Sequence, residues 1–150
     1  MINSALFAFL HFRAVFGIFA TVFFEWQTMS RTPTHAEARR IQACDRWFGI
    51  FAAVVLVAGF LRDFYFEKGK AFYFSNPYFH AKLTLFVLVG LLSIYPTIRF
   101  IKWGAQTKQG PAPLVPAAEH ARIMLMLRAE LVLLLGMALC ASLMARGVGL

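Results

Sequence analysis

Apolar residues in this chain gather into four long runs, at roughly residues 5–27, 43–61, 79–103 and 117–145, separated by shorter polar stretches. Each run is close to the ~20 residues a helix needs to cross about 30 Å of hydrocarbon. Helices are the economical choice for such runs, because a lone apolar segment must satisfy its own backbone in lipid. The pattern predicts an all-α fold: a four-transmembrane-helix bundle in one domain. It leaves little chain for anything else.

The polar stretches carry their own signals. Thr34 and Glu37 have the spacing of a capping box, so a helix is expected to begin there and run into the second span. The second loop, 62–78, is aromatic and charged and suits the membrane interface, as a segment lying flat on it. Ser75-Asn76-Pro77 reads as a turn that starts the third span. The third loop, 104–116, is rich in Gly, Gln and Pro and is read as mobile. Met1-Ile2-Asn3-Ser4 has no positive region of a signal peptide, so the first run is read as a retained helix.

Composition sharpens this picture. The chain is 60% hydrophobic, too apolar for an ordinary soluble domain, and its net charge of +8 sits mainly near the span ends. The basic residues are read as membrane-flanking rather than as a nucleic-acid surface, and no nucleic-acid partner is expected. Loops one and three hold most of the Lys and Arg, including Arg39, Arg40, Lys102 and Lys108. The positive-inside rule then puts those loops in the cytoplasm and both termini in the periplasm of a bacterial inner membrane. Cys44 and Cys140 have no CxxC neighbour and are read as small apolar residues.

Ionisable residues inside spans are costly and are functional candidates by default. In the first span His11, Ile18 and Glu25 are spaced by seven and share a face, expected to look into the bundle. Arg13 lies about 200° away from His11 and points elsewhere, either to the interface or to another subunit. In the second span Asp45, Gly49, Ala52, Ala53, Leu56 and Gly59 form a small-residue side suited to close helix approach. Pro96 in the third span predicts a kink or weakened hydrogen bonding. In the fourth span Glu130, Met137 and Met144 share a face, the methionines as packing residues.

Two polar clusters follow. An inner cluster of Glu25, Asp45, Arg46, Arg99, Arg122, Arg128 and Glu130 has both signs and reads as a salt-bridge network, with Glu130 and Arg128 as a possible proton-coupled pair. An outer cluster brings His11 and His80 together with Arg62, Lys82 and Arg146. Two histidines on facing helices can ligate haem iron, with Arg62 or Lys82 on the propionates. Haem b is therefore an expected cofactor, with His11 and His80 as ligands. Copper at either histidine is a second option. His35 and His120 fall in loops or at helix ends.

Several segments resemble a known family. Phe9-Leu10-His11-Phe12, Gly59-Phe60-Leu61-Arg62, His80-Ala81-Lys82-Leu83, Leu92-Ser93-Ile94-Tyr95-Pro96-Thr97 and Leu143-Met144-Ala145-Arg146-Gly147 look like an uncharacterised bacterial family of four-helix integral membrane proteins, a domain of unknown function. The resemblance covers nearly the whole chain and implies the fold. More distantly, His11 and the pair Lys82-Leu83 are similar to HemJ-type protoporphyrinogen oxidases and copper-resistance-D-like membrane proteins. That similarity implies haem b and porphyrinogen oxidation. The expectations are thus a haem b-binding redox protein or, alternatively, a non-enzymatic assembly factor, structural subunit or metal-handling protein. Either sits in the lipid bilayer, as a homo-oligomer or within a larger membrane complex.

Overall fold

Four helices form where the apolar runs predict them: α1 (Ile2–Thr28), α2 (His35–Leu61), α3 (Pro77–Gln109) and α4 (Ala117–Ala145). The computed structural model describes residues 2–61, 65 and 74–148. Most of the second loop, and Arg62 with it, lies outside the described residues. All four helices are long and apolar enough to cross a membrane. Large side chains such as Phe16, Leu125 and Val132 are widely exposed on their outer faces, as lipid contact requires.

The helix ends follow local chemistry. The Thr34 N–H donates to Glu37 Oε2 at 2.8 Å, and the Glu37 N–H donates to Thr34 Oγ1 at 3.2 Å. That reciprocal capping box starts α2 eight residues earlier than the apolar run alone, at His35 rather than Ala43. Asn76 caps α3 by accepting the Tyr78 N–H at 2.9 Å, with Pro77 in the first turn where its missing N–H costs nothing. The α4 end closes on Gly147 at φ 76°, with N–H groups of Gly147 and Val148 donating to Met144 and Leu143 carbonyls. That is a Schellman motif, and the left-handed φ is the reason for glycine.

Two expectations change. α3 does not stop near Trp103 but continues to Gln109, since nothing in 104–109 breaks it and Gly104 fits against Gln42. The connection that remains, 110–116, is anchored rather than loose. Pro113 and Val115 are buried in it, and the Val115 N–H donates to the Arg31 carbonyl at 2.8 Å, tying the two loops of this end together. α3 also passes through Pro96 as one continuous helix, with the proline buried.

α1 pairs with α2 and α3 with α4 as tight antiparallel hairpins, and looser α2–α3 and α1–α4 contacts close the ring. Among the described residues the backbones of helices across the diagonal do not come close to each other. In lipid no hydrophobic force drives helices together, so close fit and small residues must do it. Gly17 provides the clearest case: a Cβ there would lie 2.5 Å from the Phe51 ring. The predicted small-residue side of α2 is only partly an interface. Asp45, Ala52 and Gly59 turn toward neighbours, but Gly49, Ala53 and Leu56 are exposed. The buried seam instead runs through Ile41, Phe48 and Val55, because bulky side chains fill the wide interior.

Among the described residues packing is uneven along the bundle. Ile41, Phe100, Ile123 and Leu127 are all within 1% of full burial, and all lie toward the end that carries loops 29–34 and 110–116. We call this the basic end. The opposite, histidine end has a small separate cluster of Phe79 and Met144 with Phe60 and Tyr78.

Candidate functional site

Three helices place a carboxylate toward the basic half of the interior. Glu25 continues the His11–Ile18–Glu25 face of α1 and is 3% exposed. Glu130 continues the Glu119–Ile123–Leu127 stripe of α4 and is 1% exposed. Asp45 of α2 is half-buried, and the fourth helix completes the ring: Thr97 Oγ1 of α3 donates to Asp45 Oδ1 at 2.6 Å. Glu25 lies within electrostatic range of both Asp45 and Glu130, and Glu130 within range of Asp45.

Much of this polarity is unsatisfied. Oε1 of Glu25 and Oε1 of Glu130 are buried with no hydrogen-bond partner among the described residues, as are Trp26 Nε1 and Gln42 Nε2 nearby. Such groups carry a desolvation cost unless a proton, an ion or water meets them.

The mixed-sign network expected here does not form in the interior. Arg46, Arg122 and Arg128 are exposed on outer helix faces, while the acids face in. Arg128 and Glu130 are two residues apart, about 200° around the helix, so they cannot form a pair. Among the described residues one ion pair joins two helices: Arg99 of α3 donates to Glu119 of α4. Glu119 and Thr97 escaped the sequence reading. The signal for Glu119 was available, since eleven residues from Glu130 returns to the same face of a 3.6-residue helix.

At the histidine end the predicted residues do not converge. His11 is half-buried on the interior side of α1 and lies against Gly59, where a Cβ would sit 3.2 Å from its ring. His80 is exposed on α3, the helix diagonal to α1, and its Nε2 is 2.9 Å from the Phe74 carbonyl. Lys82 lies over the Phe79 ring, 5.4 Å from its centre. Arg146 is exposed. Among the described residues no three His, Cys, Asp or Glu side chains group so as to hold a metal ion.

A closed ring of four apolar helices with Glu25, Glu119 and Glu130 buried inside it defines a polytopic helical membrane protein. The chain belongs to a family described as predicted membrane protein (DUF2214), whose model matches residues 3–149. No curated protein and no solved structure matches it.

Proposed function

We propose that this integral membrane protein exchanges protons through the interior carboxylates Glu25 and Glu130, with Asp45 as their link to the α2–α3 side. One observation carries the reading: two nearly fully buried carboxylates, each with an oxygen that has no partner among the described residues, and outward-facing arginines where counter-ions were expected. Carboxylates in a low-dielectric interior without a cation are neutralised by protons. The positive-inside rule supports placing the basic end in the cytoplasm and the termini on the periplasmic side of an inner membrane.

Infrared difference spectra of the reconstituted protein across a pH titration test this directly. The expected result is a carboxylic C=O band that shifts in deuterated water and shrinks in both Glu25→Gln and Glu130→Gln. A band indifferent to both substitutions removes the proposal.

Haem b ligation by His11 is the second reading, supported by the seat of that ring on the interior face of α1 against Gly59. His80 would have to give up the Phe74 carbonyl to serve as the other ligand, and Lys82 would pair a propionate. Haem, when bound, supplies one-electron redox chemistry. Oxidised and dithionite-reduced absorption spectra of protein from haem-supplied cells decide it. A Soret band that shifts on reduction and is lost in His11→Ala supports haem. A featureless spectrum ends the reading.

A further inference from the structure

The α2–α3 side of the bundle is one of its two looser seams and holds an open groove of about 420 Å³. That volume lies within the range of about 300–1,000 Å³ usual for small-molecule sites. Its walls are apolar, from Phe48, Ile94 and Ile98, and Gly49 leaves it wide: a Cβ there would meet nothing within 4 Å. Asp45 lies within it and Arg46 beside it. The Asp45 Oδ1 is engaged by Thr97, and Oδ2 has no hydrogen bond among the described residues. Arg46 is exposed and has no ion-pair partner among them.

The position of the groove matters as much as its lining. Charge-free stretches run from 47 to 61 in α2 and from 83 to 98 in α3. Asp45 and Arg46 immediately precede the first, and Ile98 ends the second just before Arg99. The groove therefore straddles the level at which hydrocarbon gives way to headgroups, with apolar walls on one side and an acid and a base on the other. A ligand matching it has an acyl chain, an anion for Arg46 and a hydrogen-bond-donating cation for Asp45.

We propose that this groove binds the headgroup of an aminophospholipid of the phosphatidylethanolamine type, phosphate on Arg46 and ammonium on Asp45. The carboxylate distinguishes this lipid from two others. A choline headgroup has no N–H to donate, and a glycerol headgroup brings no cation. The inference goes beyond the proton-exchange reading and shares only Asp45 with it. Glu25 and Glu130 take no part in lipid binding.

Native mass spectrometry of protein released from bilayers with equal phosphatidylethanolamine, phosphatidylcholine and phosphatidylglycerol tests it. The intact protein should retain the ethanolamine lipid about tenfold over the other two, the difference one charge-assisted hydrogen bond makes. Asp45→Asn should equalise ethanolamine and choline lipids. Arg46→Gln should lower retention of all three. Gly49→Leu, whose Cβ would meet nothing within 4 Å, should abolish the preference while size-exclusion and helical circular dichroism stay unchanged. Glu25→Gln and Glu130→Gln should leave it intact, so loss of the infrared signal and loss of lipid preference are separable. Equal retention of the three lipids by the intact protein, or an undiminished preference in Gly49→Leu, overturns the proposal.

Discussion

The two ends of the bundle are built on opposite plans. At the basic end large side chains fill the interior, loops are tied to each other, and Glu25, Glu119 and Glu130 face in while Arg46, Arg122 and Arg128 face out. At the histidine end, among the described residues, the buried cluster is Phe79 with Met144, and His80 sits exposed with its Nε2 against the Phe74 carbonyl. The difference teaches that chemical residue types alone do not mark a site. Carboxylates buried without a partner among the described residues do, because their desolvation has to be met by a proton, an ion or water.

The comparison breaks first at the aromatic core. Phe100→Ala should destabilise the protein by about 3–5 kcal/mol in detergent unfolding, because the well-packed basic end cannot collapse around the cavity. Met144→Ala at the histidine end should cost less, since Met144 is less completely buried than Phe100 and packs on the half-buried Phe60 and Tyr78. Equal costs would mean the two ends are equally packed.

Gly17→Ala should come next, at about 1–3 kcal/mol, because its new methyl collides with the Phe51 ring between α1 and α2. The matched control is Gly49→Ala, which meets open space and should be neutral or slightly stabilising through helix propensity. A Gly17 substitution as harmless as that control would refute the close α1–α2 fit.

Thr97→Val should remove the hydrogen bond to Asp45 at a cost of about 1–3 kcal/mol, because a half-buried carboxyl oxygen loses its donor. A double-mutant cycle on Arg99 and Glu119 should return a smaller coupling, about 1 kcal/mol, because the arginine is 30% exposed. If the second coupling exceeds the first, the ion pair rather than the interior ring organises the basic end.

The smallest effects belong to the caps. Thr34→Ala should cost about 1 kcal/mol by opening the capping box. Gly147→Ala should cost a similar amount, about 1 kcal/mol, by straining the left-handed turn. The two caps lie at opposite ends of the molecule, so a marked inequality would show that one end unfolds first, readable by hydrogen exchange.

Much of the fold was legible before any coordinates. Four runs of apolar residues determine four helices, because in lipid each segment must satisfy its own backbone, whatever its neighbours do. The capping box at Thr34 and the turn at Asn76 were equally local, each set by side chains within three residues. The seven-residue spacing of His11, Ile18 and Glu25 placed one face correctly for the same reason. What lay beyond reach was everything that depends on which helix stands next to which. Arg46 and Arg128 look like natural counter-ions to Asp45 and Glu130 in the linear chain, yet a one- or two-residue step turns each of them to the outside. His11 and His80 look like a pair until the helices are arranged in a ring that sets α1 and α3 on the diagonal. The pairing of Thr97 with Asp45, the contact of Arg99 with Glu119, and the open groove at Gly49 each join segments many residues apart. Local rules decide the helices, since backbone hydrogen bonds in lipid are settled within a segment. The tertiary packing alone decides the site, since charge and hydrogen-bond partners there come from different helices.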